Sequence, residues 1–191
     1  FPTAQTTDRV RFSFVDGENG QEIPGWVVRG GRYVFGLEAW YADRKVGPGS
    51  YIDLRQSGQP GVIAIQARPF RSRRGEWLRT VSANADNFSF EVTRYPVFCE
   101  FDELAAIGVP NPAAVDELAQ RLKRLPLEQL LDQIFQGLAV LSLQRAVHSI
   151  TLYSVVNLFR RVPPAPMQAV LASGAQYVAL GDNYWSYRGD F

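Results

Sequence analysis

Apolar and polar residues alternate through the first half of the chain. Val10, Arg11, Phe12, Ser13 and Phe14 place Val10, Phe12 and Phe14 on one face of a strand. Further short apolar runs at residues 26–28, 33–35, 51–54, 62–67, 77–81, 88–92 and 97–101 predict more strands. Breaks at Asp16-Gly17, Asn19-Gly20, Gly30-Gly31, Gly47-Pro48-Gly49 and Gln59-Pro60-Gly61 separate them, with residues 37–43 as the one helical turn. Seven or eight short strands punctuated in this way predict a closed or half-closed antiparallel β-barrel over residues 8–98, since closure removes exposed sheet edges.

After Pro96 the apolar spacing changes to that of helices. Asn111 as a cap and Pro112 in the first turn predict a helix over residues 113–124, and a second runs over 127–136 to end at Gly137. Ser149 can cap a third, in which Leu152, Val155, Val156 and Phe159 recur every three or four residues and form a buried face. Thr151, Ser154, Asn157 and Arg161 then fall on the opposite side. Arg160 and Arg161 sit in the last turn, where positive charge suits the helix dipole, and Val162, Pro163 and Pro164 stop the helix. A short helix over 165–173 with a left-handed cap at Gly174 leads into two strands around Gly181, Asp182 and Asn183, the pattern of a wing. The fold class expected is α+β: an antiparallel β-barrel domain (8–98), then a helical domain ending in a winged helix (99–191).

Short polar side chains beside guanidinium groups are the chemistry that reaches base edges and phosphates from a helix in a major groove. Thr151, Ser154, Asn157, Arg160 and Arg161 are therefore candidate nucleic-acid contacts. A second candidate is the loop of Arg71, Arg73 and Arg74, part of a cluster with Arg68 and Arg79 that only Glu76 interrupts, flanked by Phe70 and Trp77. An exposed basic tip with aromatic neighbours can grip phosphates or stack a base; the plainer reading is a solvated loop.

The run from His148 through Arg161, together with Tyr177, Val178, Gly181, Asn183, Tyr184 and Trp185, resembles the winged helices of the HARE-HTH type over about residues 127–187. That resemblance implies a DNA-associated module of chromatin, transcription or restriction proteins rather than a catalyst. One departure is the apolar stretch 138–144, where that family has a polar linker. The barrel stretch around Gly36 to Tyr41 and Val46 to Leu54 is faintly similar to B3-like barrels.

Charge refines this picture. Twenty basic against 19 acidic groups create no global field that would drive the chain onto nucleic acid or an anionic membrane. The balance is uneven along the chain: residues 1–95 carry 13 basic and 10 acidic groups, residues 96–134 three and seven, and residues 135–191 four and two. Eighteen of the basic residues are arginine, which suits bidentate phosphate contact and is equally what a GC-rich genome produces.

A single cysteine, Cys99, and a single histidine, His148, rule out an internal disulfide and an ordinary zinc site, and point to a cytoplasmic, intracellular protein. A Cys99/His148 dyad would require the barrel end to meet the third helix. Asp53, Glu76, Glu38 and Asp43 could form a magnesium-holding carboxylate cluster, but neither lysine follows a carboxylate at nuclease spacing. No cofactor, metal or small-molecule substrate is inferred, and no apolar run is long enough to span a bilayer. The absence of a first methionine suggests an excised or processed part of a larger protein. Arg188-Gly189-Asp190 matches the integrin-binding tripeptide by chance expectation.

The expected function is nucleic-acid binding without catalysis, with duplex DNA as the partner and other protein domains as possible neighbours. Two alternatives stand beside it: a protein-interaction or scaffold module docking through the aromatic wing, and a nuclease-like enzyme with an unrecognised carboxylate site.

Overall fold

The computed structural model describes residues 7–188 and is an α+β protein. Gly189 and Asp190 of the Arg-Gly-Asp tripeptide lie outside the described residues. Strands β1 (Arg9–Asp16) and β2 (Glu22–Val28) form an antiparallel hairpin that β3 (Tyr33–Phe35) extends. Residues 36–51, which include helix α1 (Glu38–Asp43), carry the chain to the opposite edge, where β4 (Ile52–Gln56) and β5 (Val62–Ala67) form a second hairpin. The hairpins join through β1 and β5, which run parallel with Ser13 opposite Val62 and Asp16 opposite Ile65. The resulting order, β3-β2-β1-β5-β4, is a curled half-barrel with two edges.

Phe14, Leu37, Trp40, Ile65, Ala67 and Cys99 fill the half-barrel. Gly25 is needed on its wall, since a side chain there would meet the Phe14 ring at 2.6 Å. Asp16 is 2% exposed and accepts from the Trp40 indole at 2.9 Å and from Arg44 Nη2 at 2.6 Å. Burial works to raise this carboxyl, but the Glu18 backbone N–H, the Arg44 guanidinium and the Trp40 indole outweigh it and hold it below the usual range.

Of the closed and half-closed barrels expected over residues 8–98, the half-closed form is the one present, with fewer strands than expected and with β1 and β5 parallel. β6 (Glu76–Ala83) and β7 (Phe88–Tyr95) form a separate antiparallel hairpin, and β6 also pairs parallel with β8 (Ile107–Gly108). The physical reason lies in their alternation. Val81, Ala83, Phe88 and Phe90 share a face, and that apolar surface packs against the helices instead of the half-barrel. Residues 97–101 form no strand; isolated bridges from Cys99 to Pro69 and from Phe101 to Ser50 tie them to the half-barrel.

The helical part contains α2 (Pro112–Leu122), α3 (Leu127–Ala139), β9 (Ala146–His148), α4 (Ser149–Phe159), α5 (Pro164–Ser173), β10 (Tyr177–Gly181) and β11 (Tyr184–Tyr187). Asn111 caps α2 as its sequence predicts, accepting from the Ala114 N–H at 3.2 Å. α3 runs through Gly137 instead of ending there, because a side chain at that position would meet the Phe90 ring at 2.7 Å. The cap of α4 is His148, whose Nδ1 accepts from the Ile150 N–H at 3.1 Å, while Ser149 is buried. Gly174 is not left-handed (φ −74°); it makes room for the Tyr177 ring.

β9, β11 and β10 form a third sheet, closed at its tip by Asp182 and Asn183 in left-handed conformation (φ 47° and 61°). Leu130, Leu131, Ile134, Phe135, Leu152, Val155, Val156, Met167 and Leu171 make the main core. Tyr177 joins it, its ring 5.4 Å from that of Phe135 and its hydroxyl donating to Asp132 Oδ1 at 2.5 Å. Among the described residues no helix is long and apolar enough to cross a membrane.

Candidate functional site

Helix α4 buries one side in the core, and of the polar residues read as its outer face Thr151 and Asn157 are held by internal bonds. Thr151 is 1% exposed, and its hydroxyl donates to the Leu104 carbonyl at 2.7 Å. Ser154 is half-buried. Asn157 closes the end of its own helix, donating to the Tyr153 carbonyl at 2.9 Å and accepting from the Val162 N–H at 3.1 Å. Arg160 turns inward to the carbonyls of Leu122, Lys123 and Leu125 at and just beyond the end of α2. Arg161 is exposed, with its guanidinium 4.6 Å over the Tyr33 ring of the half-barrel. Asn157, Arg160 and Arg161 do converge on one groove of about 660 Å³, which Lys123 and Asp116 also line.

The arginine cluster divides into two kinds. Arg68 is bound to Asp53 at 2.7 Å with Glu100 at 3.7 Å, and Arg79 donates to the Glu103 carbonyl at 3.3 Å. Asp53 is held below the usual carboxylate range, first by the Arg68 hydrogen bonds. Arg71, Arg73 and Arg74 are exposed and make no hydrogen bond or ion pair among the described residues. Both ends of their loop are fixed. Phe70 packs edge-on against Phe101 at 6.1 Å, and Gly75 (φ 71°) passes against the Tyr95 backbone before β6 begins.

Beside this loop lies the largest cleft, about 850 Å³. Its position follows from β6 and β7, whose helix-facing side is covered over only half its length. Val81 and Phe90 are roofed by helices, whereas the cross-strand pairs Trp77/Arg94 and Arg79/Val92 on the same side are left open. Trp77 is 64% exposed, and the Arg94 guanidinium lies 5.2 Å over its ring. Phe101, Glu103 and Leu104 line the cleft with Thr151, and residues of the α3–β9 connection and the β10–β11 hairpin complete it. Leu180 and exposed Tyr184 come from that hairpin, with His148 packed at 4.8 Å against the Tyr184 ring. Its lining charges are Arg79 against Glu76, Glu103 and Asp182.

Tyr184, Leu180, His148 and Arg94 were not singled out for this surface by sequence reasoning. For Arg94 a signal existed: residues 88, 90, 92 and 94 alternate onto one face, so the face that buries Phe90 also carries Arg94. Among the described residues no group of three or more His, Cys, Asp or Glu side chains is placed to hold a metal ion. Of the four suspected carboxylates, Asp53 is bound to Arg68 and exposed Asp43 lies 4.0 Å from Arg44. Cys99 and His148 belong to different parts of the molecule: the thiol is buried in the half-barrel, pushed above its ordinary pKa by burial, and directed at the Arg44 carbonyl at 3.6 Å. No family model matches the chain, and no similar curated protein or solved structure was found.

Proposed function

We propose that this chain is a non-catalytic nucleic-acid-binding module of the cytoplasm, and that the contact is made by the Arg71–Arg74 loop with the adjoining Trp77 and Arg94. The observation that carries the reading is the pairing of three exposed arginines lacking internal partners with a tryptophan 64% exposed beside them. Unpaired guanidinium groups bind phosphates bidentately, and an exposed indole stacks bases of any sequence.

The order α3-β9-α4-α5-β10-β11, with β11 between β9 and β10, supports a winged-helix reading of the C-terminal part. In that arrangement the helix ahead of the wing is α5, whose sequence, Pro164 through Ser173, carries no charged residue. The wing itself contributes Asp182. Neither element supplies phosphate contacts, so the reading assigns them to the arginine loop and takes Thr151, Asn157 and Arg160 as parts of the scaffold.

Anisotropy titration against duplex and single-stranded oligonucleotides across a salt series tests this. Each phosphate contact steepens the log-log slope by about 0.7 to 0.9, so replacing Arg71, Arg73 and Arg74 together by alanine should flatten it by about two to three units. One specific observation favours a second reading, docking of a protein partner: Val92, Leu180 and Tyr184 stand 46%, 53% and 39% exposed around the same cleft. Absence of any nucleic-acid affinity at about 50 mM salt would put that reading first.

A further inference from the structure

The cleft and the arginine loop carry opposite charge, and the division has a chemical meaning. Arg71, Arg73, Arg74 and Arg94 stand outside, at the end of β6 and β7 that borders the cleft. Along the lining, half-buried Glu76 and exposed Glu103 and Asp182 outnumber Arg79, whose guanidinium is already turned to the Glu103 carbonyl. A phosphate is favoured at the arginine loop and disfavoured along the cleft lining. An uncharged base is admitted, because an unstacked base can leave its phosphates behind and lie on an aromatic ring.

We infer that the cleft takes an unstacked base of a single-stranded nucleic acid, and that the carboxylates along its lining prefer cytosine and adenine to thymine and uracil. This rests on the nucleic-acid reading above and adds the strand type and the base class. A volume of about 850 Å³ lies in the range of small-molecule pockets. The paired and stacked bases of a duplex cannot enter such a space. Trp77 supplies a platform held from one side by Arg94, and Tyr184, fixed edge-on against His148, stands on the β10–β11 side of the same cleft.

The edge chemistry points the same way. Carboxylates accept from the exocyclic amino groups of cytosine and adenine and repel the carbonyl that thymine and uracil present at the corresponding position. His148 adds a donor. It lines the cleft at 8% exposure, and its Nδ1 is occupied by the Ile150 N–H, so the neutral ring carries its proton on Nε2. A donor beside acceptors complements the amino group and neighbouring ring nitrogen of cytosine and adenine.

The experiment is a set of anisotropy titrations of the whole chain with short labelled homo-oligomers of deoxycytidine, deoxyadenosine and deoxythymidine at about 50 mM salt. The first two should bind about fivefold or more tighter than the third. Glu103→Gln with Asp182→Asn should narrow that gap, and Trp77→Ala should weaken the preferred oligomers by about 5-fold to 150-fold. Circular dichroism checks that these surface variants fold. Equal affinity for all three oligomers, or tightest binding of deoxythymidine, overturns the base assignment while a slope lowered by the triple arginine variant leaves the nucleic-acid reading standing. Absence of binding to every oligomer overturns the inference, and overturns the nucleic-acid reading with it when duplex DNA also fails to bind. Shifts of the Trp77 indole resonance on adding a lysine-rich peptide, with none on adding oligonucleotide, would make the cleft a protein site and overturn the inference.

Discussion

Tyr177→Phe isolates one hydrogen bond between the β10–β11 hairpin and the helical core. The Tyr177 side chain is 6% exposed, its ring lies 5.4 Å from Phe135 and 5.8 Å from Tyr187, and its hydroxyl donates to Asp132 at 2.5 Å. Phenylalanine keeps the ring contacts and removes only the hydrogen bond. A bond to a charged group contributes about 1.5 to 3 kcal/mol, and the low end applies because half-buried Asp132 keeps Gln176 Nε2 at 3.1 Å. At about 2 to 4 °C per kcal/mol for a chain of this size, the melting temperature should fall by about 3 to 6 °C. Tyr177→Ala, which also removes the ring, should cost about 3 to 5 kcal/mol in urea denaturation.

The pH dependence gives the same bond a second signature. Burial first, and then the hydrogen bond to Asp132, push the phenol far above its ordinary value of 10.0. A folded-state pKa above the unfolded one means that the contribution is fully present below about pH 10 and is lost as pH rises beyond it. The stability gap between wild type and Tyr177→Phe should therefore close under alkaline conditions. Equal stability of the two proteins at neutral pH, or a gap that persists unchanged above pH 10, would refute the account of the hairpin's anchorage.

The remaining predictions concern the half-barrel and α4. Asp16→Asn should destabilise by about 1.5 to 3 kcal/mol by removing the buried carboxylate that accepts from the Arg44 guanidinium and the Trp40 indole, with Glu18 still paired to Arg44, read as a lower urea midpoint. Because the Asp16 carboxyl is held below its ordinary 3.8, its contribution is present above that pH and fades as pH falls through the folded value; an acid titration of stability should lose this component in the variant. Thr151→Val should cost about 1 to 3 kcal/mol by stranding the Leu104 carbonyl, read as a lower urea midpoint, and should leave the salt slope set by the arginine loop unchanged. A variant with native stability and weakened binding would return α4 to the interface.

Much of the local structure was legible because it depends on near neighbours. The alternation at residues 33–35 and 62–67 coincides with β3 and β5, and the Asn111-Pro112 start of α2 is where the cap chemistry puts it. Pairing between distant strands was not legible. Nothing in the apolar pattern of β1 or β5 says that they run parallel, or that β6 and β7 leave the half-barrel, because alternation defines a face without saying what covers it.

α4 shows the same limit at the site. Leu152, Val155, Val156 and Phe159 are buried as their spacing requires, yet Thr151 is buried with them, because a segment nearly fifty positions earlier offers it the Leu104 carbonyl. Periodicity separates apolar from polar sides, and a small hydroxyl with an internal acceptor can occupy either. Arginine is different: Arg71, Arg73 and Arg74 stay outside because three guanidinium groups in four residues could not all find internal partners, so composition alone placed them at the surface. What the loop faces is a tertiary result. His148, Leu180 and Tyr184 reach the cleft only because β11 pairs with β9, and that pairing brings the far end of the chain to the open half of the β6–β7 face.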